Sequence, residues 1–182
     1  SSVLAAPAEG GGTPRWIPGT TDVIYSTFTA RALVRQSTTS SESRSFPAPT
    51  AWMTDVSPDG RTALFLTSRP GTGEDVLQVA LEADGGLSPF LAGPMGERSA
   101  VISPDAQWVA YASDESGRSE VSVEAYPGRG RNQVVSSGGG HQPQWSADGR
   151  TLYYLTDDSA FVAAAVERRG GSLSFSPRRL FR

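Results

Sequence analysis

His141 is the single histidine of a 182-residue chain that contains no cysteine. Acid–base or nucleophilic catalysis of the Ser-His-Asp kind would therefore have to pass through that one side chain, yet no Gly-x-Ser-x-Gly elbow occurs to present a serine to it. His141 follows Gly138-Gly139-Gly140 and reads as a polar loop residue. With one His and no Cys, a zinc site is not expected, nor are disulfide or thiolate chemistry. The carboxylates divide into two groups. Asp59, Asp105 and Asp148 recur once per repeat of a short phrase, so they read as turn residues rather than as an acid/base pair. Asp114-Glu115 and Asp157-Asp158 carry oxygens suited to Ca²⁺ but lack the Asp-x-Asp-x-Asp-Gly spacing of a calcium loop, and they read as solvated loops. The run Gly138–Gly140 is not followed by Gly-Lys-Ser/Thr and precedes a strand, so it does not match a phosphate loop. No catalytic residue, metal ligand or cofactor is expected.

The elements that must position these residues are announced by the repeated phrase. Ser57-Pro58-Asp59-Gly60-Arg61, Ser103-Pro104-Asp105-Ala106 and Ser146-Ala147-Asp148-Gly149-Arg150 each precede an apolar run, and an eroded copy stands at Trp16-Ile17-Pro18-Gly19. The residues before each turn, Trp16, Val56, Ile102 and Trp145, are roughly 40 to 46 residues apart, the period of a four-stranded propeller blade. The turn chemistry is local. Pro58 presets φ for the second turn position, Asp59 tolerates the bridge region, and Gly60 supplies the left-handed residue. Ala106 stands where the third copy needs that glycine, so this turn is expected to relax toward another type.

In the second repeat, Thr50–Val56, Arg61–Ser68, Asp75–Leu81 and Leu87–Ala92 read as four strands. Arg69–Gly73 is a loop, because two glycines and a proline interrupt a ladder, and Ala83–Gly86 is a turn. The third repeat predicts strands over Ser99–Ser103, Trp108–Ser113, Ser119–Ala125 and Asn132–Ser136. The fourth predicts Gln142–Ser146, Thr151–Thr156, Ala160–Val166 and Ser172–Phe181, the register making Ala163–Ala165 strand rather than helix. Gln36–Arg44, rich in Ser and Thr, reads as a poorly packed loop or weak outer strand. Trp16, Trp52, Trp108 and Trp145 are expected in the core between blades. The fold class is all-β: a β-propeller of four-stranded antiparallel blades spanning 1–182. It has a partial blade at 1–12 and blades at about 13–47, 48–93, 94–137 and 138–182. About four blades are expected to form part of, or close, a larger six-bladed type of ring.

Bulk composition fits a packed β protein: 37% hydrophobic, 9% aromatic and a net charge of −3. Net acidity argues against nucleic-acid binding, and no apolar run is long enough for a membrane span. Ser1–Ala6 has no basic head and does not read as an intact signal peptide. All 16 basic residues are arginine, which fits a GC-rich genome. Five of them (168, 169, 178, 179 and 182) crowd the last strand, where charge discourages edge-to-edge aggregation.

The Ser-Pro-Asp-Gly-Arg turn followed by an apolar strand resembles the TolB-type, WD-like propeller repeat. From Val101 onward, "SPDAQWVAYASDESGRSEVSVEAYPG", "GGGHQPQWSADGRTLYYLT" and "FSPRRLF" are similar to the C-terminal propeller of many bacterial serine/threonine kinases. Ile17-Pro18-Gly19 lacks the Asp of that repeat, Ala106 its Gly and Ala147 its Pro. The resemblance implies a periplasmic or extracytoplasmic scaffold that binds or buttresses a protein or peptide partner without catalysis, as a sensor domain or an accessory subunit of a membrane-associated complex. A peptidase propeller would need a hydrolase domain that these 182 residues do not contain. In such a propeller the loops entering the inner strands share one face with those joining the second and third strands. That rim would carry Met95, Glu97, Arg98, Glu115, Arg118, His141 and Gln142 as the binding residues.

Overall fold

The computed structural model describes residues 14–27, 31–48, 52–69, 73–82, 86–128, 130 and 132–181. The readings for 1–12, for the turn at 83–85 and for Arg182 lie outside these residues. Among the described residues there is no helix, and the strands form four antiparallel four-stranded sheets, each in simple chain order. The first sheet holds β1 (Arg15–Trp16), β2 (Asp22–Thr27), β3 (Ala32–Ser37) and β4 (Ser43–Pro47). The second holds β5 (Trp52–Val56), β6 (Thr62–Arg69), β7 (Gly73–Ala80) and β8 (Ser88–Leu91). The third holds β9 (Glu97–Ile102), β10 (Trp108–Ser113), β11 (Glu120–Ala125) and β12 (Gln133–Val134). The fourth holds β13 (His141–Trp145), β14 (Thr151–Leu155), β15 (Phe161–Arg169) and β16 (Ser172–Phe181). The chain divides into two compact units, 1–93 and 94–182.

Each unit builds its core between two sheets. In the first, Ile17, Ile24, Leu33 and Phe46 pack against Met53, Val56, Phe65 and Val79. In the second, Val101, Ala110, Val121 and Val123 pack against Leu152, Tyr154, Val162 and Ala164. Alternation along the strands produces both cores, because residues i and i+2 share a face. Trp108 and Trp145 lie against the second core as expected, and Trp145 Nε1 donates to the Val101 carbonyl at 3.3 Å. Trp16 and Trp52 depart from expectation, being 65% and 45% exposed. Both sit on the edge strand that opens their sheet.

The repeated turn is a closed hydrogen-bond ring, in which serine plays a part that turn statistics do not reveal. Ser57 Oγ donates to Asp59 Oδ1 at 2.5 Å and accepts from Thr62 N at 2.9 Å, while Arg61 N donates to the same Asp59 oxygen at 3.0 Å. Ser103 with Asp105, and Ser146 with Asp148, repeat the arrangement. These hydrogen bonds carry the lowering of the Asp59 carboxyl, with the donation from Ser57 the largest contribution. They also explain the outcome at Ala106. The turn does not relax: Ala106 keeps φ +52 and donates its N–H to the Ser103 carbonyl at 2.8 Å. The side-chain ring holds the residue in the left-handed region at a cost of roughly 1 kcal/mol. Ala106→Gly should therefore raise stability by up to about 1 kcal/mol, seen as a higher urea midpoint at unchanged slope.

Two other strand readings change, and a third gains detail. The ladder between β6 and β7 runs out to Arg69 opposite Gly73, so only residues 70–72 separate them; Gly73 fits because its φ of +94 ends the ladder. Gln36–Arg44 runs from the end of β3 through a connection at 38–42 into the outer strand β4 and holds no buried residue, as expected; what the sequence did not indicate is that Ser37, Thr38, Thr39, Ser40 and Glu42 hydrogen-bond among themselves and to Thr21. The outer strand expected over Asn132–Ser136 shrinks to Gln133–Val134. There Ser136 Oγ takes the Val121 N–H at 2.8 Å, and a side chain replaces the next rung of the ladder.

Candidate functional site

Within the second unit, four connections carry the polar chemistry, residues 92–96, 114–119, 135–140 and 156–160, together with the first residues of the strands they enter; His141, read from sequence as a loop residue, is the first residue of β13. The first two are tied together. Gly96 N donates to Asp114 Oδ1 at 2.8 Å, and Asp114 N donates to the Gly96 carbonyl at 3.3 Å. Arg98, on β9, lies with Nη2 3.8 Å from Asp114 Oδ2. The last two connections repeat this pairing, with His141 Nδ1 3.7 Å from Asp157 Oδ1. The likeness is one of register. Arg98 pairs with Ala112 and His141 with Leu155, each followed by a bulge in the inner strand, and Asp114 and Asp157 stand two residues beyond those partners. In the second sheet the same register position is Trp52, opposite Leu66. At the bulges Ser99 and Gln142 take φ values of +56 and +52. Non-glycine residues adopt that conformation only where their surroundings enforce it.

Arg118 and Glu120 form the most elaborate polar cluster. Glu120, 5% exposed, accepts from Arg118 Nε at 2.6 Å and from the Gly138 and Gly139 N–H groups at 3.2 Å each. Ser136 Oγ also donates to it. Burial pushes the Glu120 carboxyl up, but the donations from Ser136, Gly139, Arg118 and Gly138 outweigh it and hold the carboxyl below its ordinary range. The glycine run is thereby explained without phosphate. Gly140 lies so close to Ser136 that a Cβ would come within 2.5 Å of its hydroxyl. The carboxylate of the third sheet thus pins the segment that enters the fourth. Asp75, opposite Thr67, holds the register position of Glu120, opposite Ser113, and is likewise buried. In the first sheet that position is Ala32, and in the fourth it is Ala160, which meets Thr156.

An open depression of about 520 Å³ lies over this cluster, lined by Ser116, Gly117, Arg118, Glu120, Val134, Ser136 and Ser137. Of the rim residues expected from sequence, Arg118 is the one in its wall. Glu115 stands beside it, accepting from Asn132 Nδ2 at 3.1 Å. Arg98 and His141 join the separate acid pairs described above. Met95 is 41% exposed on the connection into β9, Glu97 begins β9 opposite Ser113, and Gln142 is exposed at its bulge. Sequence reasoning missed Glu120 and Ser136. The available signal was an acid at the start of the third strand in two successive repeats. Asp114 and Asp158 are also more than solvated loop residues: Asp114 is bound as above, and Asp158 accepts from Thr156 Oγ1 at 2.6 Å and from Arg179. Among the described residues no group of three or more His, Asp or Glu side chains could hold a metal ion.

No protein-family model matches the chain, and no curated protein matches it. Solved structures do. TolB from Acinetobacter baumannii superposes with a TM-score of 0.66 at 19% identity, over 92% of this chain and 43% of that protein. A chain of the nidogen/laminin complex gives 0.67 at 11% identity, over 93% and 73%. An oligogalacturonate lyase in complex with manganese gives 0.64 at 13% identity, over 87% and 50%. The chain thus spans less than half the length of this TolB, and at these identities the likeness is one of fold: a TolB-like β-propeller built of four-stranded blades.

Proposed function

We propose that the chain is a non-enzymatic propeller module that binds a protein or peptide partner on the extracytoplasmic side, through the loop face of its second unit. One observation carries this reading: the register-equivalent, half-exposed pairs Arg98–Asp114 and His141–Asp157, each joining the start of an inner strand to the connection that follows the second strand. Charges held in place before binding give orientation and partner choice rather than catalysis. His141 faces the Asp157 carboxylate, with Nδ1 3.7 Å from Oδ1. The extracytoplasmic placement rests on the sequence resemblance to TolB-type propellers. Roles as a receptor's sensor domain or as an accessory subunit of a membrane complex use the same face and differ in what is attached to it.

The test is capture from an envelope extract on immobilised wild-type chain, compared with Met95→Asp and His141→Ala, which alter exposed side chains of the face. A specific partner should be retained by wild type and bind at least about tenfold more weakly to each variant, the loss of one modest interface contact. Equal retention by all three proteins would move binding off this face and overturn the reading.

A further inference from the structure

We propose that the depression at Arg118 is a seat for a carboxylate of a partner peptide. The proposal rests on the reading of the second unit's loop face as a docking surface and names what that surface holds. Two of the four connections build the seat: 114–119 supplies Ser116, Gly117 and Arg118, and 135–140 supplies Ser136 and Ser137. The Arg118 side chain is 56% exposed yet fixed in direction, because its Nε donates to the buried Glu120 at 2.6 Å. Glu120 is held in turn by Ser136 Oγ and by the Gly138 and Gly139 N–H groups. A guanidinium has only donors. With Nε occupied, the fork that remains is Nη1 with Nη2, and among the described residues neither atom meets an acceptor.

Glu120 lies in the same wall, so the polarity of the seat depends on what that carboxylate still offers. A carboxylate has about four lone-pair sites, and Glu120 already accepts from Arg118 Nε, Ser136 Oγ, Gly138 N and Gly139 N. The one acid in the lining is therefore saturated and presents no acceptor to the depression. Glu115 does not line it and accepts from Asn132 Nδ2. What the wall offers outward is the Arg118 fork and the hydroxyl of Ser137, both on exposed residues. The matching ligand group is a pair of acceptor oxygens, and a carboxylate meets a planar fork with two parallel hydrogen bonds. Val134, 52% exposed on β12, forms an apolar shoulder of the same depression. A carboxylate next to an apolar side chain matches both parts of the wall, which an inorganic anion does not.

The probe is acetyl-Val-Glu-Val-amide, titrated into isotope-labelled chain at constant ionic strength and read from backbone amide and arginine Nε–H resonances. The Arg118 Nε–H and the Gly117 and Ser137 amides should shift together and saturate with a dissociation constant of about 1 mM, the strength of one anchored contact. Acetyl-Val-Gln-Val-amide should bind at least about tenfold more weakly, and Arg118→Gln should weaken the acidic peptide by the same factor. The dispersion of the same spectrum shows whether that variant is folded. Arg118→Lys, which keeps a charge without the fork, should fall between it and wild type. Acetyl-Val-Gln-Val with a free C-terminus separates a terminal carboxylate from a side-chain one, the tighter of the two acids naming the source. Equal binding of both amidated peptides, an Arg118→Gln response like that of wild type, or no response to either acid at Arg118 would overturn the seat. Shifts at Met95 and His141 without any at Arg118 would overturn it and leave the docking face standing. Capture indifferent to Met95→Asp and His141→Ala overturns the face itself.

Discussion

Gly60→Ala should lower stability by about 3 kcal/mol, the sum of a left-handed backbone penalty and a steric clash. Gly60 has φ +71, and a Cβ built on it would sit 2.7 Å from the Pro18 carbonyl oxygen and 3.1 Å from Ile17 Cγ2. Neither neighbour can move away cheaply. Ile17 is 1% exposed in the core of the first unit, and Pro18 belongs to the turn of the preceding sheet. Gly19 and Gly149 separate the two contributions. Gly19 has φ +75 with nothing within 4 Å of a Cβ, and Gly149 has φ +66 with only the end of Arg168 at 3.1 Å and Pro104 beyond. Alanine at either should cost only the dihedral penalty, about 1 kcal/mol. Urea unfolding of the three variants gives the comparison. A Gly60→Ala loss no larger than that of Gly19→Ala would show that the turn of the second sheet does not rest on that of the first.

That contact illustrates which parts of the molecule can be read from sequence. The blade pattern was legible because its signals are local: a proline and a glycine fixing turn dihedrals, then a run of alternating apolar residues. Even the register of Ala163–Ala165 followed from the repeat, and the residues appear in β15. What local signals do not encode is where one repeat touches another. Nothing around Ala106 says that a serine two residues before Asp105 will hold it left-handed. Nothing around Trp16 says whether an indole on an inner strand has a neighbour to enter. The rim shows the same division. Turn and strand order placed Glu115 and Arg118 on a connection and put Arg98 and His141 just ahead of the inner strands they in fact begin, but their partners Asp114, Asn132, Glu120 and Asp157 come from pairing between strands and loops. Glu120 was the hardest to find, because an acid inside an apolar alternation looks like an exposed position until its donors are known.

Those donors make Glu120→Ala the second large effect, an expected loss of about 3 kcal/mol. A buried group bound through charge-assisted hydrogen bonds typically costs 1.5–3 kcal/mol per interaction lost, and orphaned buried donors add to this. Here the Gly139 N–H and the Ser136 hydroxyl lie in buried residues and would lose their acceptor. Arg118 contributes less. Its side chain is 56% exposed, water replaces the carboxylate, and Arg118→Ala should cost no more than about 1 kcal/mol. The pH dependence separates the charge from the packing. The folded carboxyl titrates below its ordinary range, while the unfolded chain takes up its proton near about pH 4.3. Above that pH both states are ionised and the stabilisation is complete. As pH falls, the unfolded chain binds the proton first, and the stabilisation is lost down through the folded pKa. Glu120→Gln, which keeps the shape but cannot ionise, should therefore be less stable than wild type by a constant margin above about pH 5. That margin should shrink on acidification. A margin independent of pH from 7 to 3, measured by urea unfolding, would mean that the Gly138–Gly139 segment is held by packing and not by the carboxylate charge.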